Sequence, residues 1–507
     1  MRPLLLSLAL LSAACTQTDD RLPPSDRFVY PSGIVHRAVP GSTNGVLYVS
    51  SANFDRCFDL GTLMAVDLDR VAGSGGESLQ PLGAYTNPAA PAVELGQLNV
   101  APESFRYIDN FAGEMQLWED PGFTGAPDAR LFIAARGDNN SLHYVDIKAP
   151  TQLSCVNNPD SNDCTAGALS LVSGVQDQQE GQPRADAPFG VFFDPFGIPT
   201  QPDKSGPRVW VTHLNPADSP IRSRTNFESY VVDVSATTPK DVATTEKEKD
   251  EASANPSVSP ADFHPLTLPN FPIGGSNSVV ADERYVFVTG RLSGAAISDT
   301  SLARRFLVRV LDKYNLDAGR ILEPGLDLGF AASEARGLAL TPRSTTAPSA
   351  PRRLYVAVRS PDTLLIVNVQ GIEKESDLPQ LSVVGAVPLP DGPTQVALVP
   401  RGELRSELVL VSCSDAGVVA IYDPDVGQVV AQVLVGERSG TQSPQPFGLA
   451  VQEQGPGARI FVSNFGDGRV SVIDIPDLGS PQLARLVAHL GVRQDVGESA
   501  QCQEEQL

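Results

Sequence analysis

The sequence predicts an all-β fold, a seven-bladed β-propeller with long loop insertions. Two observations carry this prediction: a short apolar strand recurs seven times along the 507 residues, and a second strand that ends in Asp or Asn follows each copy. Repeats of this kind are typical of folds in which similar units stack on one another. A lone four-stranded sheet cannot cover both of its apolar faces, whereas sheets arranged around an axis bury them against their neighbours.

The two repeated strands are predicted to form a hairpin in every unit. The first strand occupies residues 47–49, 131–133, 209–211, 285–287, 354–356, 408–410 and 460–462. An arginine directly precedes five of these strands, namely Arg130, Arg208, Arg284, Arg353 and Arg459. The second strand closes at Asp67, Asp146, Asp233, Asp312, Asn368, Asp423 and Asp474. Asp and Asn side chains accept backbone amide hydrogen bonds in turns, so we interpret these residues as turn formers rather than metal ligands.

The hairpins set the predicted limits of the units. The distance from the first strand to the closing Asp or Asn is 14 or 15 residues in units two, five, six and seven, and 20 to 27 residues in the other three. The longer distances predict inserted hairpin loops. The propeller is predicted over residues 28–492, with units near 28–70, 128–147, 188–235, 277–323, 335–387, 393–436 and 446–490. An open two-sheet sandwich is the alternative fold, which seven copies in register disfavour.

The last unit carries a resemblance to a known repeat. Residues 459–464, followed by 468–474, resemble the YVTN-type β-propeller repeat of surface-layer and other exported bacterial proteins. Units five to seven match this pattern well, and units one to four match it in both hairpin strands but not in loop length. The resemblance implies that the strand beginning Pro-x-Gly is innermost, which would place residues 188–190 and 446–448 near the central channel.

The N-terminus has the pattern of an export signal. Arg2 supplies a positive charge, residues 4–11 are apolar, and the small residues 12–14 precede Cys15. This order resembles a bacterial lipoprotein signal, which implies cleavage before Cys15, a lipid on its thiol and a location at the cell envelope, with the outer membrane expected. An ordinary secretory signal is the alternative. Around the propeller we therefore predict a signal peptide (1–14), a flexible tether (15–27) and a polar C-terminal tail (493–507).

Export would place the remaining cysteines where disulfides persist. Cys155 and Cys164 flank a turn-rich Asn-Asn-Pro-Asp stretch, which predicts a local bridge. If every unit begins with its inner strand and ends with its outer one, the ring closes without strand exchange and needs another clasp. A bridge between Cys57 in unit one and Cys502 in the tail is the predicted clasp, with two free thiols as the alternative, and Cys413 is the odd cysteine.

Charge and motifs exclude several classes of function. The net charge of −22 and the pI near 4.6 oppose binding to nucleic acid, which depends on Lys and Arg at the phosphates. Phosphate-loop, nucleophile-elbow and zinc-protease motifs are absent from the sequence. The histidines have no metal-ligand spacing, and neither a metal nor a cofactor is predicted; they are His36, His143, His213, His264 and His489.

Candidate binding residues come from a dense run of aromatic side chains between residues 100 and 127. They are Phe105, Tyr107, Phe111, Trp118 and Phe123. They predict either a binding loop or a satellite core beneath a long loop. The leading hypothesis is a non-catalytic, lipid-anchored envelope protein whose propeller loops bind a protein, a glycan or a matrix component. The alternative is a propeller enzyme of lactonase, dehydrogenase or glycan-cleaving type that acts at the central channel.

Overall fold

The computed structural model confirms the all-β, seven-bladed propeller. It describes residues 21–137, 140–173, 187–214, 230–239, 257–266, 275–290, 308–316, 321–322, 334–343, 352–370, 380–402, 405–436 and 443–494. Each blade is an antiparallel meander whose first strand packs against the first strands of both neighbouring blades. The seven first strands therefore surround the central channel, and the later strands of each blade lie farther out.

The strands of the first four blades follow the chain. Blade 1 contains β1 (Pro31–Arg37), β2 (Val46–Ser51), β3 (Gly61–Asp67) and, after a connection that holds β4 (Val93–Leu95), β5 (Phe105–Ile108). Blade 2 contains β6 (Ala112–Glu119), β7 (Ala129–Ala135), β8 (Ser141–Ala149), β9 (Gln152–Cys155) and β10 (Leu169–Ser173). Blade 3 contains β11 (Pro188–Asp194), β12 (Arg208–His213), β13 (Tyr230–Ser235) and, after β14 (Ser257–Val258), β15 (Phe263–Pro265). Blade 4 contains β16 (Ser276–Ala281), β17 (Tyr285–Gly290), β18 (Val308–Asp312) and β19 (Ile321–Leu322).

The last three blades each contain four consecutive antiparallel strands. Blade 5 contains β20 (Ala335–Leu340), β21 (Arg352–Arg359), β22 (Asp362–Gln370) and β23 (Gln380–Pro388). Blade 6 contains β24 (Pro393–Val399), β25 (Leu408–Cys413), β26 (Val418–Asp423) and β27 (Gln428–Leu434). Blade 7 contains β28 (Pro446–Gln454), β29 (Gly457–Asn464), β30 (Arg469–Ile475) and β31 (Arg485–Leu490). Short 3₁₀ turns lie at Pro102–Ser104, Thr165–Gly167, Pro202–Lys204, Pro260–Asp262 and Pro481–Leu483, and no helix in the described residues is long and apolar enough to cross a membrane.

The first two blades differ from the predicted units. Blade 1 does not end near residue 70, because its outer strand β5 begins only at Phe105. Blade 2 does not begin near residue 128, because its inner strand β6 begins at Ala112. Neither strand carries the sequence feature used to find the units: a long connection separates β5 from its hairpin, and β6 begins Ala-Gly-Glu rather than Pro-x-Gly.

The repeated arginines and aspartates prove to be partners across the hairpins. Arg130 faces Asp146 and Arg459 faces Asp474 in the strand register, and both pairs have an Nε–Oδ1 distance of 2.7 Å. The turn-former interpretation is also correct at some positions, since Asp423 accepts a backbone amide at 2.9 Å. The aspartates therefore both shape the turns and neutralise buried arginines.

Ring closure differs from the prediction. The expectation that no strand is exchanged between the first and last blades is wrong, because β4 adds to the outer edge of blade 7 as a fifth strand, parallel to β31. Its Glu94 also accepts a salt bridge from Arg469 of β30 at 3.0 Å. Nearer the channel, the Ser463 hydroxyl donates to the Ser32 carbonyl at 2.7 Å. An inserted segment of blade 1 thus supplies a clasp that the repeat pattern does not encode.

The cysteines agree in part with the prediction. The Cys155–Cys164 disulfide is confirmed, and it links β9 to the loop that leads into β10. Cys57 is also disulfide-bonded. Cys502 and Cys15 lie outside the described residues, so the Cys57–Cys502 bridge and the lipid on Cys15 stay predictions. Cys413 is free and buried, and burial raises the pKa of its thiol to about 12.

Candidate functional site: the channel and its mouth

The channel has two connected parts, which we call the throat and the mouth. The throat is a cavity of about 290 Å³ enclosed by all seven inner strands, β1, β6, β11, β16, β20, β24 and β28. The mouth is a pocket of about 370 Å³ at the end of the channel where these strands begin. Ser32 and Phe447 line both parts, so the mouth opens directly into the throat.

A repeated backbone turn builds the mouth. The residue just before the inner strand has a positive φ in five blades: Tyr30 (54°), Phe111 (58°), Ala187 (55°), Gly392 (74°) and Gln445 (50°). Its carbonyl accepts the backbone N–H of a residue that follows the second strand, namely Ala52, Arg136, Leu214, Ser414 and Phe465 respectively. A positive φ costs a non-glycine residue on the order of 1 kcal/mol. Four blades bear this strain, and the turn aligns the residues that surround the mouth.

Aromatic side chains dominate the wall of the mouth. Phe54 contacts Phe111 and Phe465 with ring centroids 5.5 and 5.4 Å apart, and Phe189 contacts Phe447 at 5.6 Å. Phe54 is 47% exposed, which is a large fraction for a phenylalanine in a folded protein. Five rings from blades 1, 2, 3 and 7 therefore converge on one opening and leave apolar surface accessible there.

Charged residues of the mouth are held by neighbouring groups. Arg359 donates to both carboxylate oxygens of Asp415, at 2.8 and 2.6 Å. Burial alone would raise the pKa of Asp415, but the hydrogen bonds and charge of Arg359 lower it below its usual value. Arg136 lies over the ring of Phe111 at 5.5 Å. Arg336 pairs with Glu334 at 2.5 Å. The arginines at the rim are thus matched by carboxylates or by an aromatic ring.

Among the described residues that line the throat, Glu114 is the one carboxylate. Glu114 extends from β6, two residues below Ala112 of the mouth, which is a depth of about 7 Å in an extended strand. It accepts hydrogen bonds from the Gln395 amide at 2.5 Å, the Val191 backbone N–H at 3.3 Å and the Ser278 side chain. Burial raises the pKa of Glu114 to about 7 despite these donors. A carboxyl group in the throat therefore changes its charge near neutral pH.

The predicted aromatic residues do not form one binding loop. Phe111 lies at the mouth, whereas Phe105 and Tyr107 are on the outer strand β5, where they contact each other at 4.9 Å and pack into the core between blades 1 and 7. Trp118 and Phe123 contact each other at 5.9 Å, in the core between blades 2 and 3. The run spans an outer strand, an inner strand and a turn, so its members point to different places.

Some of the other residues that line the channel were predicted from the sequence, and others were not. The Pro-x-Gly strands are innermost, which places Phe189 and Phe447 at the mouth, as the resemblance implied. Glu114 was missed because β6 itself was missed. Phe465 directly follows the end of β29, and this position could have been found from the repeat alignment. Phe54 lies just beyond the corresponding strand end in blade 1.

A buried Ser-His-Asp cluster lies away from the channel lining. His143 Nε2 is 3.1 Å from Asp109 Oδ2 and 3.2 Å from Ser141 Oγ, and the Ser141 hydroxyl lies 2.5 Å from the same Asp109 oxygen. All three side chains are buried. A catalytic triad uses one imidazole nitrogen for the serine and the other for the aspartate, whereas here one nitrogen meets both. The cluster therefore joins β8 to the end of blade 1 rather than activating a nucleophile.

Metal ligands and comparisons with known proteins add little to this description. No group of three or more His, Cys, Asp or Glu in the described part of the chain is arranged to hold a metal ion. No protein-family model and no curated protein matches the chain.

Solved structures share the propeller fold at low identity. The chain is similar to the Cps50 (Swd1) β-propeller domain of Myceliophteria thermophila, with a TM-score of 0.42, 10% identity, and coverage of 89% of this chain and 98% of that domain. Kuenenia stuttgartiensis hydrazine synthase gives a TM-score of 0.43 and 12% identity over 90% of this chain and 98% of that one. The dihydro-heme d1 dehydrogenase NirN gives a TM-score of 0.38 and 11% identity, with coverage of 91% of this chain and 69% of that one. These likenesses concern the fold alone.

Proposed function

We propose that the chain is an exported, lipid-anchored binding protein of the bacterial cell envelope, and that the mouth of its channel holds an apolar group of a protein partner. The N-terminal pattern ending at Cys15 supports the location. The convergence of five phenylalanine rings on one opening carries the binding role. Exposed apolar surface on a folded protein marks an interaction site more often than chance placement does.

The geometry of the mouth favours a protruding side chain over a flat surface. The pocket of about 370 Å³ has a size typical of ligand pockets. Its rim is rigid, because backbone hydrogen bonds hold five of the residues that precede inner strands. A rigid apolar pocket with polar groups at its edge is the arrangement that binds an anchor residue of a partner. We therefore place the partner's anchor among the rings of Phe54, Phe111 and Phe465.

A photocrosslinking experiment tests this role. A photoreactive phenylalanine analogue at position 54 should crosslink one defined partner in intact envelopes. The same analogue at position 426 is the control, because Val426 is 58% exposed and lies in the turn between β26 and β27, at the opposite end of the blades. Replacing Phe111 by Ala should abolish the crosslink from position 54. Equal crosslinking from both positions, or none from position 54, would contradict a binding mouth.

One observation favours the alternative of an enzyme at the channel. Glu114 has a pKa near 7, and a carboxyl group poised near neutral pH is suited to general acid–base chemistry. A second ionisable group is not among the side chains that line the throat in the described residues. The binding role therefore stays the proposal that the geometry supports best.

A further inference from the structure

We propose that the throat is a subsite for a protonated amine, such as the end of a lysine side chain, which Glu114 would bind beneath the aromatic mouth; this deepens, and rests on, the proposed binding role of the mouth. The partner's anchor would then be a lysine whose alkyl stem lies among the phenylalanine rings.

The hydrogen-bond partners that the structure gives for Glu114 are all neutral. Its hydrogen-bond donors are the amide of Gln395, the backbone of Val191 and the side chain of Ser278. Among the described residues that line the throat it is the one ionisable side chain, since the other six inner strands present only apolar, hydroxyl and amide groups there. A buried carboxylate is normally paired with a cation because desolvation is otherwise costly. The described residues of the throat thus supply the carboxylate of an ion pair but not its cation.

The rest of the molecule shows how this chain treats other buried carboxylates. Asp474 is paired with Arg459 at 2.7 Å. Asp194 is paired with Lys313. Asp233 is paired with Arg208 and with Lys204, the latter at 2.9 Å. Each of these three aspartates has a Lys or Arg partner, whereas Glu114, which the channel makes accessible from outside, has none among the described residues that line the throat.

The mouth is compatible with an incoming cation. Aromatic faces attract ammonium groups, by about 0.5–2 kcal/mol for each well-placed ring. Of the three rim arginines, which would repel a cation, Arg359 is paired with Asp415 and Arg336 with Glu334, whereas Arg136 lies over the ring of Phe111. The net charge of −22 further favours the approach of cationic partners. A depth of about 7 Å along β6 separates the mouth from Glu114, so one ligand can contact both.

Amine binding should displace a proton. The ammonium group pairs with the carboxylate form of Glu114, and this residue is about half protonated at pH 7 because its pKa is about 7. Binding at pH 7 should release about 0.5 proton, and affinity should be about tenfold weaker at pH 6 than at pH 8. No other ionisable side chain of the described lining faces Glu114, so this proton release reports on Glu114.

Calorimetry with n-butylammonium, which reproduces the lysine side chain, tests the subsite. Titrations of the full chain at pH 6, 7 and 8, in buffers of different ionisation enthalpy, measure both affinity and proton release. We expect a dissociation constant in the millimolar range, on the order of what five non-hydrogen atoms can supply. Glu114→Gln should weaken binding at least tenfold. Glu119→Gln is the matched control, because it removes the same charge from the same strand at an exposed position, and should leave affinity unchanged.

Several results would overturn the amine subsite. They are absence of butylammonium binding, pH-independent binding, and equal affinity in Glu114→Gln and the unaltered protein. The proton-release measurement uses the unaltered protein, so it holds even if Glu114→Gln does not fold. A partner crosslinked at position 54 together with no butylammonium binding would reject the amine subsite alone. Butylammonium binding without any crosslinked partner would reject the proposed mouth interaction instead.

Discussion

The two ends of a blade treat buried charge in opposite ways. At the hairpin ends far from the mouth, Arg459 is fully buried and its guanidinium contacts both carboxylate oxygens of Asp474. In the throat, Glu114 has hydrogen-bond donors but no cation among the described residues that line it. The paired carboxylate stabilises the fold, whereas the unpaired one keeps a charge available to a ligand. The contrast separates a carboxylate that holds the fold together from one that we propose binds a ligand.

The contribution to folding stability should change with pH in opposite directions at a paired aspartate and at Glu114. Asp233 is desolvated, but His264, Arg208 and Lys204 lower its pKa below the ordinary value. Its stabilisation is present above its unfolded pKa and is lost as the pH falls through the lower, folded pKa. Glu114 has a raised pKa, so it opposes folding progressively as the pH rises from about 4.5 to about 7.

The largest expected effect comes from breaking a buried pair. Arg459→Met leaves Asp474 buried without its cation and should lower the free energy of unfolding by about 3–5 kcal/mol. Urea denaturation at pH 7 measures this loss in the free energy of unfolding. Arg359→Met is the control, since it breaks an Arg–Asp pair whose side chains are 29% and 51% exposed, and it should cost only about 0–1 kcal/mol. Similar losses in both variants would remove the distinction between buried and exposed pairs.

A second test concerns the sign of the pH effect at Glu114. Glu114→Gln cannot ionise, so its stability relative to the unaltered protein should rise between pH 4.5 and pH 8, by up to about 3 kcal/mol for a pKa raised to about 7. Denaturation curves at both pH values supply the difference. Glu119→Gln, which removes a carboxylate from an exposed position of the same strand, is measured alongside as the control for the loss of one negative charge. A flat difference for Glu114→Gln would show that the throat does not desolvate its carboxyl group.

A smaller effect should follow from removing one donor of Glu114. Gln395→Met deletes the amide that donates to the carboxylate at 2.5 Å. Because this hydrogen bond favours the charged form, its loss should raise the pKa of Glu114 further, by an amount equivalent to about 1 kcal/mol. Carbon-13 NMR of the glutamate carboxyl groups, with Glu114→Gln used for assignment, measures the pKa. An unchanged pKa would mean that Gln395 does not act on Glu114.

The smallest effect on stability is expected at the mouth. Phe54→Ala removes a ring that is 47% exposed, so the free energy of unfolding should fall by no more than about 1 kcal/mol. Thermal and urea denaturation check this value. Partner binding should nevertheless be lost, because the ring contributes to the apolar pocket. A large loss of stability would indicate that Phe54 supports the fold rather than a ligand.

The sequence predicted the regular blades better than the interrupted ones. In blades 5 to 7 the strands β20–β23, β24–β27 and β28–β31 span almost the same residues as the predicted units near 335–387, 393–436 and 446–490. Blades 1 and 2 were delimited wrongly, because β5 follows a long connection and β6 lacks the Pro-x-Gly start. Repeat detection depends on fixed spacing, so insertions hide strands whose pairing is normal.

The sequence by itself determined the propeller, the hairpin strands, the turn aspartates and the Cys155–Cys164 bridge. All of these depend on residues that are close in the chain or recur at a regular interval. Only the tertiary structure decided the pairing of β4 with β31 and the convergence of five phenylalanine rings on the mouth. It also decided that Glu114 has no cation among the described residues that line the throat. Glu114 and Gln395 are 281 residues apart, and they meet because the ring brings blade 2 opposite blade 6. The burial of Glu114 and the lack of a cation among the described residues around it arise only when the channel is assembled. A pattern of residues close in the sequence therefore does not predict them.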